Sequence, residues 1–377
     1  MDYAIASNGF AEGPAQALRD YLVERDASVV TIFHPLTPEQ GTRHEIMRYE
    51  HGEAVGTRSI SMPLRPPASF AFDPLVPLLP PRVRAWFGFN PLACARGLAA
   101  RGTRRAERVF LWSVDFVPDR FGAGTVPTRV YDAIDRMCCR RADGRVELSE
   151  AARTGRNARH HLTGDAAHAH VVPMGAWLDR VPTSDANAVG RRRAVFLGHL
   201  VERQGVDTLL QALALTDDVA ADVVGSGPLE ATLRARAKEL GLGERVTFHG
   251  YVPDHRDVER ILAGASVALA PYRASDDSFT RFADPGKLKA YVAAGLPIVL
   301  TDVPPNAREL EADAGARLTA DNPQDLAAAI RQTLASADEW RARRAAALRY
   351  ARRFDWNVLL GDVLENLDVS PSTKPPT

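Results

Sequence analysis

The chain has 377 residues, 45% of them hydrophobic and 25% charged, the balance of an ordinary folded protein rather than a disordered or membrane-spanning one. A single hydrophobic core stops growing below that length, so two α/β domains are expected. Lys plus Arg and Asp plus Glu are both 47, a formal net charge of zero, which argues against nucleic acid as a partner.

Apolar runs of strand length alternate with amphipathic stretches from end to end, the pattern of parallel sheets with helices on both faces. Asp2 and Tyr3 lead straight into a strand-like run, which reads as a chain start without a secretory leader. The first half predicts strands near 3–7, 28–33, 108–112, 145–149 and 170–172, and helices near 14–25, 81–100, 127–140 and 150–159. The segment 62–92 is proline-punctuated, apolar and aromatic, with Arg65, Arg82 and Arg84 interspersed. It reads as a core helix with a proline-rich approach, as an acceptor-binding flap, or as a patch that makes a peripheral contact at an anionic membrane surface. Cys94, Cys138 and Cys139 are an odd set whose adjacent pair is badly placed for a disulfide, so a reducing cytoplasm is expected, with the inner membrane face as the site of any peripheral contact.

The run VPTSDANAVGRRR (181–193) is polar, turn-rich and linker-like. After it the alternation restarts with AVFLG (194–198), ADVVG (221–225), RVTFHG (245–250), SVALAPY (266–272) and PIVLT (297–301), and closes on helical stretches at 322–335, 338–353 and 356–367. The predicted organisation is a first domain over 1–180, a linker over 181–193, a second domain over 194–353, a terminal helix over 354–368 packing back on the first domain, and a disordered tail over 369–377.

Gly198, Gly225, Gly227 and Gly286 each stand between a strand and a helix. Such a turn exposes helix N–H groups and the positive dipole end to a phosphate, although tight turns use glycine for their own sake. The chain has four lysines, Lys238, Lys287, Lys289 and Lys374. Lys287 opens a helix, where a compact ammonium suits a phosphate, while Lys289 reads as a solvated residue. In FLWSVDFVPDRFGAG (110–124), Asp115 follows a buried strand at its carboxyl edge and is either a catalytic base, an acceptor-positioning group, or a turn aspartate. His160, His161, His168 and His170 lack a metal-site pattern, so no metal and no cofactor are expected.

The second half resembles glycosyltransferase family 4. AVFLGHLVERQGVDTLLQALA (194–214), VVGSGPLE (223–230), RVTFHGYVPD (245–254), DPGKLKAYVAAGLPIV (284–299) and RYARRFDWNVLL (349–360) are similar, in order, to that family's donor-domain motifs, and SNGFAEGPAQAL (7–18) to its N-terminal glycine loop. The resemblance implies a GT-B α/β fold, two Rossmann-like doubly wound parallel-sheet domains facing across a cleft. It implies a glycosyltransferase that takes a sugar from a nucleotide-diphosphate donor to a saccharide, lipid-linked or small-molecule acceptor, as in polysaccharide biosynthesis, without a metal ion. The donor residues it implies are Gly198, His199, Arg203, Gln204, Gly225, Gly227, Tyr251, Val252, Asp284, Gly286, Lys287, Leu288 and Tyr291; on the acceptor side it implies Asn8, Gly9, Gly13 and Arg120, with Asp115 as base. His199, Gln204 and Ala290 depart from the family's common arginine, lysine and glutamate, with Arg203 or Arg281 and Asp276 or Asp284 as replacements. These departures keep open a catalytically degenerate nucleotide-sugar-binding partner of another transferase, and a GT-B epimerase is a further alternative.

Overall fold

Two sets of short apolar runs fold separately. A computed structural model describes residues 1–371 except 11, 37, 67, 72, 74–81, 274–281 and 283. It divides into two compact units, Met1–Pro173 with Trp356–Thr377, and Met174–Asp355.

In the first unit the described strands are β1 (Tyr3–Asn8), β2 (Val29–His34), β3 (Arg43–Glu50), β4 (Glu53–Ser61), β5 (Val83–Gly88), β6 (Ala106–Ser113), β7 (Gly144–Glu147) and β8 (His170–Val171). They form one sheet in the order β4-β3-β2-β1-β5-β6-β7-β8. β3 and β4 are antiparallel to their neighbours, and the remaining pairings are parallel. This mixed edge departs from the all-parallel sheet expected of the sequence. The hairpin turns on His51 and Gly52, both at positive φ (52° and 76°), the geometry that matches the twist of paired strands. Its strands are largely solvent-exposed, so they lack the apolar signature that marks buried strands such as β1, β2 and β6.

The helix expected over 81–100 is corrected. Residues Val83–Gly88 are the strand beside β1, buried on both faces, and a helix begins only at Pro91. A short apolar run carries no period that separates a buried strand from a helix. Gly88 and Asn90 hold the distinguishing signal: a Cβ on Gly88 would lie 2.3 Å from the Cys94 nitrogen, and the Asn90 side chain caps the helix by accepting from Ala93 N at 2.8 Å. Residues 83–89, the apolar end of 62–92, are therefore core, while 74–81 lie outside the described residues. That core is aromatic: Phe87 stacks on Phe110 at 5.0 Å and Phe89 on Trp112 at 5.1 Å, contacts worth about 0.5–1.5 kcal/mol each beyond their burial.

The closing helix, Trp356–Asn366, belongs to this unit and packs on the helix Pro14–Val23. Val369 is buried and its carbonyl accepts from Tyr3 Oη at 2.7 Å, while Ser370 O accepts from Arg84 at 3.0 Å. The expected disordered tail is thus anchored at its start, and 372–377 lie outside the described residues.

The second unit holds β9 (Arg193–Leu197), β10 (Ala220–Val224), β11 (Val246–Gly250), β12 (Val267–Ala270), β13 (Ile298–Thr301) and β14 (Arg317–Thr319), all parallel, in the order β11-β10-β9-β12-β13-β14. The turn-rich segment 181–193 is packed into this unit: Ser184 is fully buried and its N–H donates to Ala294 O at 2.8 Å. Trp340 closes the core from below, donating its indole N–H to Ser266 O at 2.7 Å.

Candidate functional site

Strand order in the second sheet reverses between β9 and β12. A doubly wound sheet binds its ligands outside the carboxyl ends of the strands at such a reversal. Glycines shape this rim. Gly198 leaves β9 at φ 148° and donates to Val224 O at 2.9 Å; Gly225 leaves β10 at φ 127° and donates to Gly250 O at 2.8 Å. A Cβ on Gly225 would lie 2.0 Å from Gly198 O, and one on Gly227 would lie 2.5 Å from Leu200 O, so the two loops touch backbone to backbone. Gly225→Ala combines a forbidden φ with a backbone clash and is expected to lose about 1–3 kcal/mol of stability. Urea unfolding against Gly243→Ala, where an added Cβ meets open space, measures it.

Lys287 lies on the reversal. Its amine is 4.1 Å from the Phe196 ring centroid of β9 and 4.9 Å from that of Tyr272, just beyond β12, and it donates to Gln204 Oε1 at 2.5 Å. The surrounding protein pushes its pKa down to about 7, because burial disfavours the charged amine. The helix it opens, Gly286–Ala293, has no side-chain cap at Pro285, whereas Asp254, Asn322 and Ser336 cap other helices of this unit. Its first N–H groups therefore stand beside the amine without a side-chain acceptor, the arrangement that receives an anion.

Not every residue implied for the donor reaches this rim. Leu288 and Tyr291 are fully buried, and the Tyr291 hydroxyl accepts from Leu197 N at 2.7 Å, so both fix the helix against β9. Asp284 is spent on structure: its carboxylate accepts from Met174 N at 2.8 Å and pairs with Lys289 at 3.1 Å. Lys289 is corrected from a solvated residue to a buried one, 3% exposed, with its ammonium 3.9 Å from the Phe354 ring centroid. Two helical residues on from Lys287 is the opposite side of the helix, which separates the two amines. His199 and Tyr251 are exposed, Val252 is half-buried, and the Arg203 carbonyl accepts from Arg273 N at 3.0 Å. Asp276 and Arg281 lie outside the described residues.

In the first sheet the reversal falls between β1 and β5. Asn8 and Asn90 join those strand ends: Asn90 Nδ2 donates to Asn8 Oδ1 at 2.8 Å, and Asn8 Nδ2 donates to Asp73 Oδ2 at 2.7 Å. Gly9, at φ 102°, donates to His34 O at 2.8 Å, and Gly13 stands at the N-terminus of the helix Pro14–Val23 without a side-chain cap. Behind them lies a buried cluster that sequence reasoning missed, because its histidines meet only through the unread β2–β3 pairing. His34 Nδ1 is 2.8 Å from His44 Nδ1, and Arg96 Nη1 is 3.3 Å from His34 Nε2. Burial lowers both imidazole pKa values, that of His34 to about 3, and raises that of Asp73 to about 6. His34, His44 and Asp73 place potential metal-binding atoms within 4.8 Å of one another. The Arg96 guanidinium makes His34 Nε2 an acceptor, so the His34 proton sits on Nδ1 and is donated to His44. That tautomer turns a proton, not a lone pair, into the space a metal would need. The histidines singled out in the sequence do other work: His160 bonds Asp135 at 2.8 Å, and His168 packs edge-on against His170 at 5.1 Å.

Asp115 leaves β6 at the same carboxyl edge. Its carbonyl accepts from Ser113 Oγ at 2.7 Å and from Arg156 Nη2 at 2.8 Å, and Arg156 is itself buried between Asp135 and Glu147. The Asp115 carboxylate is 34% exposed and accepts from Arg120 at 2.5 Å. The main chain is thus locked from below while the acid faces outward, and the structure brings Asp115 and Arg120 together.

Comparison with known proteins agrees with this geometry. Residues 191–336 match the family Glycosyl transferases group 1. A GDP-mannose-dependent alpha-(1-6)-phosphatidylinositol dimannoside mannosyltransferase of Mycobacterium tuberculosis is 34% identical over 178 residues, which are 46% of this chain and 43% of that protein, so the match spans less than half of the relative. Among solved structures, sucrose-phosphate synthase from Thermosynechococcus elongatus superposes with a TM-score of 0.70 at 17% identity, over 98% of this chain and 100% of that one. Anabaena HepE in complex with UDP gives a TM-score of 0.68 at 17% identity over the same shares, 98% and 100%. The chain is thus similar to glycosyl transferases group 1 through residues 191–336, and it shares the GT-B fold of glycosyltransferases along nearly its whole length.

Proposed function

We propose that the protein is a glycosyltransferase that draws a sugar from a nucleoside-diphosphate donor at the rim of the second sheet and passes it to an acceptor hydroxyl. The observation that carries this reading is the Lys287 amine at the β9/β12 reversal, beside an uncapped helix start. When the bond from the sugar's anomeric carbon to the diphosphate breaks, negative charge grows on the departing phosphate oxygen. Lys287 and the first N–H groups of the helix Gly286–Ala293 answer that charge, and the tight turns at Gly198, Gly225 and Gly227 let the backbone approach the phosphates. Tyr251 and Val252 flank the nucleoside. Asp115 takes the acceptor's proton as its oxygen bonds the anomeric carbon, and Arg120 aligns the acid. Phosphate charge met in this way needs no divalent ion, so activity should survive chelator.

The mycobacterial relative's name couples a GDP-mannose donor to a phosphatidylinositol mannoside, which favours a lipid-linked or saccharide acceptor. Among the described residues no helix is long and apolar enough to cross a membrane. The test is transfer itself: labelled GDP-mannose or UDP-glucose with lipid and saccharide acceptor extracts should yield a glycosylated product. Tight donor binding without hydrolysis or transfer would instead support a degenerate binding partner, the reading favoured by Gln204 already engaging the Lys287 amine.

A pH dependence follows. The free Lys287 amine loses its proton near 7, and a bound diphosphate stabilises the ammonium, so the pKa in the complex is higher. Binding therefore takes up a proton between those two values, and affinity falls as pH rises through 7 and beyond. Calorimetry of UDP and GDP in buffers of different ionisation enthalpy reads the uptake directly.

A further inference from the structure

Asp284 stands where an acid would close the diphosphate site rather than serve it. It precedes Pro285 and lies two residues ahead of Gly286, the first residue of the helix Gly286–Ala293. An aspartate at that spacing bonds the backbone N–H two residues on, and a carboxylate is an anion that a helix start and a lysine amine both attract. Left to its local sequence, Asp284 would take the position proposed for the diphosphate, beside the Lys287 amine. Its field already reaches there. Burial raises the Tyr272 pKa, Arg203 opposes the rise and the Asp284 charge adds to it, and the Tyr272 ring centroid is 4.9 Å from Lys287 Nζ.

The fold pulls the carboxylate the other way. Its Oδ2 accepts from Met174 N at 2.8 Å and its Oδ1 is 3.1 Å from Lys289 Nζ, in a pair whose acid is 8% and whose amine is 3% exposed. Met174 lies against the helix start, where a Cβ on Gly286 would come within 3.3 Å of Met174 Cε, and the Lys289 stem is held over the Phe354 ring. Asp284 thus serves the Met174 N–H, and the negative charge that this brings close to an anion site needs an answer. A buried ion pair adds little stability, because desolvating two charges offsets most of their attraction; what it fixes is where the charge points. Lys287 is left with Gln204 as acceptor, a neutral group that does not compensate an ammonium.

We propose that Lys289 is a positioning residue for the diphosphate site: by pairing with Asp284 it holds that carboxylate off the helix start and off the Lys287 amine, so that both stay available to phosphate. Its purpose rests on the diphosphate site proposed above, but its effect on Lys287 is measured without a ligand.

Lys289→Met removes the ammonium and keeps the stem over Phe354. In that variant the Lys287 ε-carbon resonance should titrate about one pH unit above its value near 7, because a released carboxylate favours the charged amine. UDP or GDP should bind about tenfold more weakly, because acid and phosphate compete for the same groups. Adding Asp284→Asn to Lys289→Met should return both midpoint and affinity to the wild-type values, since asparagine keeps an oxygen for Met174 N without the charge. Melting temperature does not separate the roles, since neutralising a stranded acid restores stability in either case; the Lys287 midpoint does. A folded Lys289→Met with the wild-type midpoint and affinity overturns the proposal. Asp284→Asn alone should bind UDP or GDP at least as tightly as wild type; weaker binding would make Asp284 a ligand of the donor and overturn the proposal even if Lys289→Met does not fold. Wild type that binds neither nucleotide sinks the diphosphate site instead, and the Lys287 midpoint in Lys289→Met still decides the role of the pair.

Discussion

Lys287→Met is expected to weaken UDP or GDP binding about 10–100-fold while leaving the protein folded, the loss appropriate to one charge-assisted contact. Methionine keeps the unbranched stem over Phe196 and Tyr272 and removes only the amine. Because the protein already holds that amine's pKa down near 7, exchanging it for an apolar end should leave the melting temperature of the free protein unchanged or slightly higher. Structural and ligand roles thus separate: the ligand-induced rise in melting temperature should shrink while the free value holds. A free protein that loses stability with its ligand response intact would make Lys287 a core residue and nothing more.

Asp115→Asn is expected to lower kcat by about 10²–10⁴ with nucleoside diphosphate affinity nearly unchanged, the signature of a lost proton acceptor. Asparagine keeps an oxygen for Arg120, and the main-chain bonds from Ser113 and Arg156 do not involve the carboxylate. Folding should therefore change by no more than the roughly 1 kcal/mol of a part-exposed ion pair. Retained turnover would return Asp115 to the role of a turn residue.

In the sequence Asp115 is singled out by a buried apolar run that ends abruptly in an acid, and Lys287 by the scarcity of lysine together with the family resemblance. The first sign works because a parallel strand buried on both faces has a continuous apolar signature, and its carboxyl end is where polar chemistry resumes. It fails for β5, for the β3–β4 hairpin and for the three-residue β14. Val83–Gly88 is too short an apolar run to carry a period, and what separates strand from helix there is the close approach of Gly88 to Cys94. The β3–β4 hairpin is too exposed to carry a pattern, and with it the meeting of His34 and His44 was invisible. Side-chain direction was the other blind spot. The family resemblance implies Lys287, Leu288 and Tyr291 together and leaves Lys289 to solvent, yet the helix turns only Lys287 to the strand reversal and commits the other three to its packing.

The scarcity of lysine gives the central claim its most direct test. With four lysines in the chain, ε-carbon labelling resolves Lys287 by comparison with Lys287→Met. The resonance should titrate near 7 in the free protein and move to a higher midpoint on adding UDP or GDP, while the other three stay put. A nucleoside diphosphate that binds the protein and leaves the Lys287 resonance and its titration untouched would contradict the assignment of the second sheet's rim as a diphosphate site.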